Sequence, residues 1–257
     1  MTCSNFNYQR LQHACPTEDG CIDGVCPDFE IKRHSTRPVF TVAVTDCGGP
    51  LDLTDCVCEV SMWAKAKLKT AITNSATSLQ FADNIGYQQC KEGDIIVVDQ
   101  VRDPEQMRIV GFDEANKTVL VQRAVHSTLA VAHKRGTGLR IFRIRKAPGE
   151  ITLATEDIEQ IDGTVERDVL VSVTLSYSWD AADTCVPGCF YFEFKILKLI
   201  VSDLDDPTLY GSADAESSGF VSYRCALPEN VEWIRRFPAT EGFLVKIAPS
   251  ATAENVE

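Results

Sequence analysis

The chain has 257 residues, of which 44% are hydrophobic and 24% are charged, a composition that is ordinary for a folded protein with its own core. The formal net charge of −12 argues against a general nucleic-acid binder, which needs a surplus of Lys and Arg, and against a partner for anionic membranes. No apolar run approaches the roughly 20 residues that span a bilayer, and the polar first ten residues lack the apolar core of a signal peptide. We therefore expect the protein to fold in a cytoplasm.

The first predicted region, residues 1–37, is a cysteine-rich N-terminal arm. It has few aliphatic side chains and several turn-forming residues, so it buries little apolar surface by itself. Its residues His13, Cys15, Cys21 and Cys26 are candidate ligands for a zinc ion or an iron–sulfur centre, although their spacing fits no standard ligand pattern. Disulfide bonds and free thiols are the alternatives.

A β-sandwich is predicted for residues 38–76 together with residues 147–201. Its first strand is rich in β-branched and aromatic side chains, as strands commonly are. In the second strand, Ala and Lys favour a helix, but strict alternation with a two-residue period favours a half-buried strand, and we predict a strand. The strands predicted for this sandwich cover about 39–44, 56–68, 169–179 and 189–200.

The segment between the two halves of the sandwich, residues 77–146, is predicted to be a small β-barrel-like insert. Residues 94–98 form an apolar run typical of a buried strand, and residues 106–113 and 118–123 flank a short turn as a hairpin does. A further strand is predicted at 139–144. Several short strands separated by turns are typical of a small barrel or sandwich.

The last predicted region, residues 202–257, consists of a linker and a C-terminal extension. Residues 203–218 are acidic, rich in Ser and typical of a linker, and two short strands are predicted at 231–234 and 243–247. The predicted fold is thus mainly β: an antiparallel β-sandwich interrupted by a small barrel-like insert, with extended N- and C-terminal arms.

The common catalytic motifs are absent from the sequence, including the phosphate-binding GxxxxGK[ST] and GxGxxG patterns, HExxH and GxSxG. His126, Ser127 and His133 could in principle form a nucleophile with a base, but Ser and His residues in such loops more often make local hydrogen bonds. The carboxylate pair Glu156 and Asp157 lies in polar surroundings that would not shift a pKa toward catalysis. We predict that the protein is not an enzyme.

Four cysteines outside the arm are candidates for disulfide bonds. Cys47 and Cys56 bracket the turn between the first two strands, and Cys185 and Cys189 close a short loop. The total of 11 cysteines is odd, so at least one thiol stays unpaired or is bridged to another chain.

A short basic stretch, Arg140, Arg143, Arg145 and Lys146, stands out in the acidic chain. In a strand, Arg143 and Arg145 would project from one face and Arg140 from the other. We expect a solvent-exposed strand here, with docking of an acidic partner as the alternative.

Two sequence stretches resemble virion proteins of tailed bacteriophages. Residues 46–54 read DCGGPLDLT and residues 179–194 read WDAADTCVPGCFYFEF. In this order the two stretches look like the N-terminal domain of phage baseplate upper proteins. The resemblance implies a small β-sandwich that attaches receptor-binding proteins to the tail, and it suggests trimers.

The insert has a resemblance of its own. It reads EQMRIV at 105–110, LVQR at 120–123 and HKRG at 133–136, and this series is similar to a β-rich module found in phage tail proteins. Ala124 and Ser127 stand where that module usually has glycine. The resemblance implies a structural unit rather than an active site.

We therefore expect a non-enzymatic structural protein of a phage virion, an adaptor that joins tail or baseplate subunits or attaches fibres. Its expected partners are other phage tail, baseplate or fibre proteins and further copies of itself in a homo-oligomer. Assembly in a host cytoplasm followed by life in the virion would reconcile the cysteines with the absence of a signal peptide. The alternative is a receptor- or carbohydrate-binding fibre module, which would need exposed aromatic residues, and a small tail hydrolase is a more distant one.

Overall fold

The computed structural model describes residues 27–46, 49–98, 104–199, 231–237 and 243–249. Within these ranges the protein is mainly β, which confirms the predicted class, and it contains one short helix, α1 (Asn84–Gln88). No helix of the described residues has the length and apolar character needed to cross a membrane. The strands are β1 (Phe29–Lys32), β2 (Phe40–Ala43), β3 (Thr45–Asp46), β4 (Gly49–Pro50), β5 (Cys56–Lys67), β6 (Ser78–Leu79), β7 (Ile95–Val98), β8 (Gln106–Asp113), β9 (Thr118–Gln122), β10 (Gly138–Glu159), β11 (Val165–Tyr177), β12 (Gly188–Leu199), β13 (Val231–Phe237) and β14 (Phe243–Ala248).

Twelve of these strands are connected in one mixed sheet. Its main path runs β1-β14-β12-β5-β10-β7-β8-β9-β6, while β13 pairs with β12, β11 with β10, and β2 with β11. The pairing of β1 with β14 is parallel, whereas the other ladders of this sheet are antiparallel. β3 and β4 form a separate two-stranded ladder.

β5 lies near the middle of the sheet, between β12 and β10. Its alternate residues Val60, Met62 and Ala64 are fully buried, while Lys65 and Lys67, which point to the other face, are exposed. The choice of a strand over a helix for this segment is confirmed, because pairing on both sides outweighs the helix propensity of its Ala and Lys residues.

β10 is much longer than the strand predicted at 139–144. Its first half pairs with β5 and β7 and its second half with β11, so it continues through Pro148 and Gly149, which predict a break. Pro148 is opposite Glu59 of β5, and the ladder with β11 begins only at Glu150. Proline has no backbone N–H, so a strand accommodates it at a position where no hydrogen bond to a neighbouring strand is required.

The core contains a cluster of aromatic side chains from five strands, β1, β2, β11, β12 and β14, and one loop. Phe40 of β2 stacks on Phe194 of β12 at 5.8 Å between ring centroids and meets Phe243 of β14 edge-on at 5.3 Å. Trp179, which follows β11, packs on Phe192 at 5.3 Å. Each fully buried aromatic ring contributes about 1.5–3 kcal/mol by removal from water, so this cluster holds β2 and β11 against β12 and β14.

The described parts of the two predicted arms belong to the sheet. β1 lies within the predicted N-terminal arm and pairs with β14, which lies within the predicted C-terminal extension. The side chains of Ile31, Val245 and Ile247 are buried. These segments are therefore core strands rather than extended arms, while the strands predicted at 231–234 and 243–247 are confirmed as β13 and β14. The linker predicted at 203–218 lies outside the described residues.

The strands of residues 77–146 extend the sheet beyond β10. β7, β8 and β9 confirm the strands predicted at 94–98, 106–113 and 118–123. The chain after β6 returns to the end of β5, where the Lys69 amide donates to the Gln80 carbonyl and the Ala82 amide to the Lys67 carbonyl, both at 2.8 Å. β10 runs across the predicted boundary between residues 146 and 147, so the backbone has no break there.

Candidate functional site

The predicted metal ligands His13, Cys15, Cys21 and Cys26 lie outside the described residues. Within the part of the chain that the structure describes, no three His, Cys, Asp or Glu side chains are grouped in a way that could hold a metal ion. The zinc or iron–sulfur centre therefore stays a prediction for the arm.

The candidate disulfide residues are only partly described. Cys56 is a free thiol in the structure, and its candidate partner Cys47 lies outside the described residues. Cys185 is also a free thiol, and its Sγ atom accepts a hydrogen bond from the Arg143 guanidinium at 3.6 Å. Cys189, its predicted partner, is buried within β12 opposite Lys246.

Two other cysteines lie deep in the core. Burial, with a smaller contribution from the neighbouring Glu59 carboxylate, raises the pKa of the Cys58 thiol to about 12. Burial also raises the pKa of Cys90, whose Sγ donates to the Gly86 carbonyl at 3.0 Å. Because the thiolate is the reactive form, both groups are poor nucleophiles at neutral pH.

A buried ionic network lies between β8, β9 and the loop that precedes β10. The fully buried carboxylate of Glu105 accepts a hydrogen bond from Arg123 at 2.6 Å and one from the Val131 amide at 3.2 Å, and its Oε2 lies 2.7 Å from Nε2 of His133. Arg123 also donates to the Thr73 carbonyl at 2.7 Å. The network thus ties two loops to the sheet.

The electrostatics of this network favour an ionised Glu105. Burial acts to raise its pKa, but the hydrogen bonds from Arg123, His133 and the Val131 amide outweigh burial, so the pKa of Glu105 lies below its ordinary value. The carboxylate is closed to solvent and all its donors are parts of the protein. Such a group stabilises the fold and has no open position for a substrate.

Sequence reasoning did not single out Glu105, although a signal for it existed. Glu105, Arg123 and His133 lie one in each of the three fragments that resemble the phage-tail module. His126, by contrast, is exposed and its Nδ1 lies 3.1 Å from Gln106 Oε1. His126 thus contacts Gln106, whereas His133 contacts Glu105.

The basic stretch of β10 is not the uniformly exposed strand that its sequence predicts. The side chain of Arg143 is 4% exposed and donates to both carboxylate oxygens of Asp94, at 2.8 and 2.9 Å, and to the Gln89 carbonyl at 2.9 Å. A register shift between Phe142 and Ile144 interrupts the alternation at this position. Burial raises the pKa of Asp94, although the hydrogen bond and charge of Arg143 act in the opposite direction.

The residues of the 179–194 stretch have structural roles. Trp179 is buried in the aromatic cluster, and the Tyr177 hydroxyl donates to Asp183 at 2.8 Å. Thr184 is fully buried and its hydroxyl donates to the Ser35 carbonyl at 3.0 Å. Burial, with the nearby Asp183 charge, raises the pKa of Tyr177, so this hydroxyl stays protonated and serves the turn.

One described element lies mostly outside the core, which it contacts through Ile151 at its base. Residues 150–168, hereafter the ribbon, comprise the outer half of β10, a turn and the start of β11. From residue 156 to residue 168 every side chain is exposed. The turn is closed by hydrogen bonds from the Gln160 amide to the Thr164 carbonyl at 2.7 Å and from Thr164 to Asp162.

The ribbon combines acidic and apolar side chains. It contains seven carboxylate residues and one arginine, a net charge of −6. Ile161 at its turn is fully exposed and Val165 is 54% exposed. A two-stranded ribbon gains little stability by itself in water, and exposed apolar groups beside charges are typical of a surface that binds another protein. The ribbon is therefore the candidate interaction site.

The sequence matches no known protein-family model, and no curated protein matches it either.

Proposed function

We propose that the chain is a non-enzymatic adaptor of a phage virion, which joins tail or baseplate subunits or attaches fibres. The observation that carries this proposal is the exposed ribbon, a regular element whose side chains from residue 156 to residue 168 are all exposed. The resemblance of residues 46–54 and 179–194 to baseplate upper proteins gives the class of assembly. The structural roles of the buried carboxylates Glu105 and Asp94 support a protein that binds rather than catalyses.

In this proposal the strands form a sandwich and a small barrel. β2 and β11 face β12 and β14 as the two layers of a sandwich, with the aromatic cluster between them. β5 through β10 close into a small barrel through the hydrogen bonds between the chain after β6 and the end of β5. The adaptor then consists of a rigid body and a ribbon that reaches outward, with other tail, baseplate or fibre proteins and further copies of the chain as its partners.

The aromatic residues favour this proposal over a carbohydrate-binding fibre module. Sugar recognition of that kind needs aromatic rings on an exposed face. Trp63 and Trp179 are only 5% and 3% exposed, because both pack against other rings of the core. Neither can act as an exposed platform.

The test is to localise the protein on purified phage particles with a gold-labelled antibody. Label at the end of the tail is expected. Label at the neck or capsid would keep a structural role but overturn the assignment to the baseplate. Particles without any label, from a lysate in which the antibody detects the protein, would overturn the virion proposal as a whole.

A further inference from the structure

A second charged surface lies at the opposite end of β10 from the turn of the ribbon. Lys67, Lys69, Lys134 and Arg135, hereafter the basic patch, are all exposed. Two backbone hydrogen bonds bring the segment of Lys67 and Lys69 next to the segment of Lys134 and Arg135. The Gly136 amide donates to the Leu68 carbonyl at 2.8 Å, and the Leu68 amide donates to the Thr137 carbonyl at 3.0 Å. The patch therefore joins the end of β5 to the turn that precedes β10.

The basic patch also has apolar neighbours. Leu129 is 79% exposed and Val131 is partly exposed in the loop that leads to Lys134. The four residues of the patch carry a charge of +4. The patch is thus opposite in charge to the ribbon, which has a net charge of −6 and the exposed apolar residues Ile161 and Val165.

Among the described residues, the ribbon and the basic patch do not contact each other. They lie toward opposite ends of the 22-residue strand β10, which at about 3.3 Å per residue is long compared with the reach of a side chain. No ion pair between described residues joins the ribbon to Lys67, Lys69, Lys134 or Arg135. Their opposite charges are therefore available to a second molecule.

We propose that the ribbon of one copy docks on the basic patch of a second copy of this chain. The inference rests on the proposed adaptor function and names the partner of its ribbon. Carboxylates such as Glu156 and Glu159 face the lysines and arginine of the patch, while Ile161 meets Leu129. The repulsion expected from a net charge of −12 is screened beyond about 8 Å at physiological salt, whereas the opposite charges act at contact.

This contact is head-to-tail, since the two surfaces that meet are different. Such a contact builds either a closed ring or an open filament, depending on the rotation between neighbouring copies. Ring closure would give the homo-oligomer that the sequence leads us to expect.

The experiment is sedimentation velocity of the full chain over a range of concentrations at low and high salt, with a reducing agent present to prevent cysteine cross-links. The ribbon variant Glu156→Lys/Glu159→Lys lowers the negative charge of the ribbon from −6 to −2, and the patch variant Lys134→Glu/Arg135→Glu lowers the charge of the patch from +4 to 0, so each weakens the attraction. Since exposed ion pairs are individually weak, we expect each variant to raise the dissociation constant about tenfold or more. The control Glu92→Lys/Glu114→Lys makes the same charge change on exposed residues outside the ribbon and should associate like the native chain.

The decisive sample carries all four substitutions, which exchange the signs of the charges at the four altered positions of the ribbon and the patch. Restored association of this chain, or association on mixing the ribbon variant with the patch variant, is expected. Circular dichroism of each variant shows whether it is folded before it is compared. A native chain that stays monomeric at low salt, or four substitutions that fail to restore association in a folded protein, would overturn the inference. Gold labelling of virions would be unaffected by that result, so the two proposals fail separately.

Discussion

A single buried carboxylate, Glu105, organises the loops of the insert. Its oxygens are hydrogen-bonded by Arg123, His133 and the Val131 amide. Removing an ion pair from water is costly, and the cost is offset only when the remaining hydrogen-bonding positions are satisfied. Loss of the carboxylate charge would leave the Arg123 guanidinium, with a side chain only 7% exposed, without its counter-charge.

We expect Glu105→Gln to lower the free energy of unfolding by about 3–5 kcal/mol, the usual consequence of breaking a buried pair from one side. The measurement is urea unfolding followed by circular dichroism. Glu114→Gln, a change of the same chemistry at an exposed turn residue, should alter stability by no more than about 0.5 kcal/mol. Equal effects of the two substitutions would show that the network does not contribute to the free energy of unfolding.

The same network predicts a dependence on pH. The pKa of Glu105 is lower in the folded protein than its ordinary value, so its contribution is fully present above the ordinary pKa of a Glu carboxyl, about 4.3. The contribution is lost as the pH falls through the lower folded-state pKa. The stability difference between the native chain and Glu105→Gln should therefore shrink in acid, and a difference that grows would contradict this assignment.

Three residues of the loop after β9, Ala124, His126 and Ser127, have a left-handed backbone. The φ angles of Ala124 and Ser127 are 57° and 61°, at the positions where the resembling module has glycine. A left-handed conformation costs a residue with a Cβ atom roughly 1–2 kcal/mol, and part of this is recovered by glycine despite its greater freedom in the unfolded chain.

We predict that Ala124→Gly and Ser127→Gly each raise the free energy of unfolding by about 0.5–1 kcal/mol. Thermal and urea unfolding measure the change. Ala132→Gly is the matched control in the same loop, because Ala132 is not among the described residues with positive φ, and it should be neutral or destabilising. Destabilisation by all three substitutions would show that the backbone at 124 and 127 is unstrained.

At the level of elements, local patterns were sufficient for strands whose pairing agrees with their composition. β5 and β12 alternate and β7 is uniformly apolar, and each lies where the sequence predicts a strand. The full length of β10 was not predictable, because Pro148, Gly149 and the following carboxylates are typical of a loop. The backbone hydrogen bonds to β5 and then to β11 keep this segment extended, although its composition does not favour a strand.

The buried ionic sites were less predictable than the strands. Arg123 lies 18 residues from Glu105, and Arg143 lies 49 residues from Asp94, so no local spacing brings either pair together. Arg143 was expected on an exposed face because strict alternation was assumed, and the register shift after Phe142 breaks that alternation. Only the tertiary fold reveals which charged residues are buried.

The ribbon is the element that the fold needs least. We predict that replacing residues 157–168 by Asn-Gly, a two-residue turn between the directly paired Glu156 and Val169, changes the free energy of unfolding by no more than about 1 kcal/mol, because the removed side chains are all exposed. The comparison is Leu175→Ala in the fully buried part of β11, which should cost about 2–5 kcal/mol. If shortening the ribbon destabilises the chain as much as Leu175→Ala does, the ribbon is part of the folding unit rather than a docking element.

For the whole molecule, the sheet and the core cross the division that the sequence suggests. One hydrophobic cluster contains Val60 and Leu175 of the predicted sandwich together with Met107 and Ile109 of the predicted insert. β10 passes from one region to the other without a break. Shared strands and a shared core make the two regions parts of one cooperative unit.

We therefore predict that a fragment of residues 77–146 does not fold by itself. It lacks β5, which pairs with the first half of β10 and receives the hydrogen bonds of the chain after β6, and its C-terminus cuts β10 near the middle. The amide spectrum of the fragment in a ¹H–¹⁵N correlation experiment should have the narrow dispersion of an unfolded chain, whereas a fragment of residues 56–149, which restores β5, should gain dispersed β-sheet signals. A well-dispersed spectrum from residues 77–146 alone would show that the insert has a sufficient core of its own, and that β5 and β10 join two domains instead of completing one.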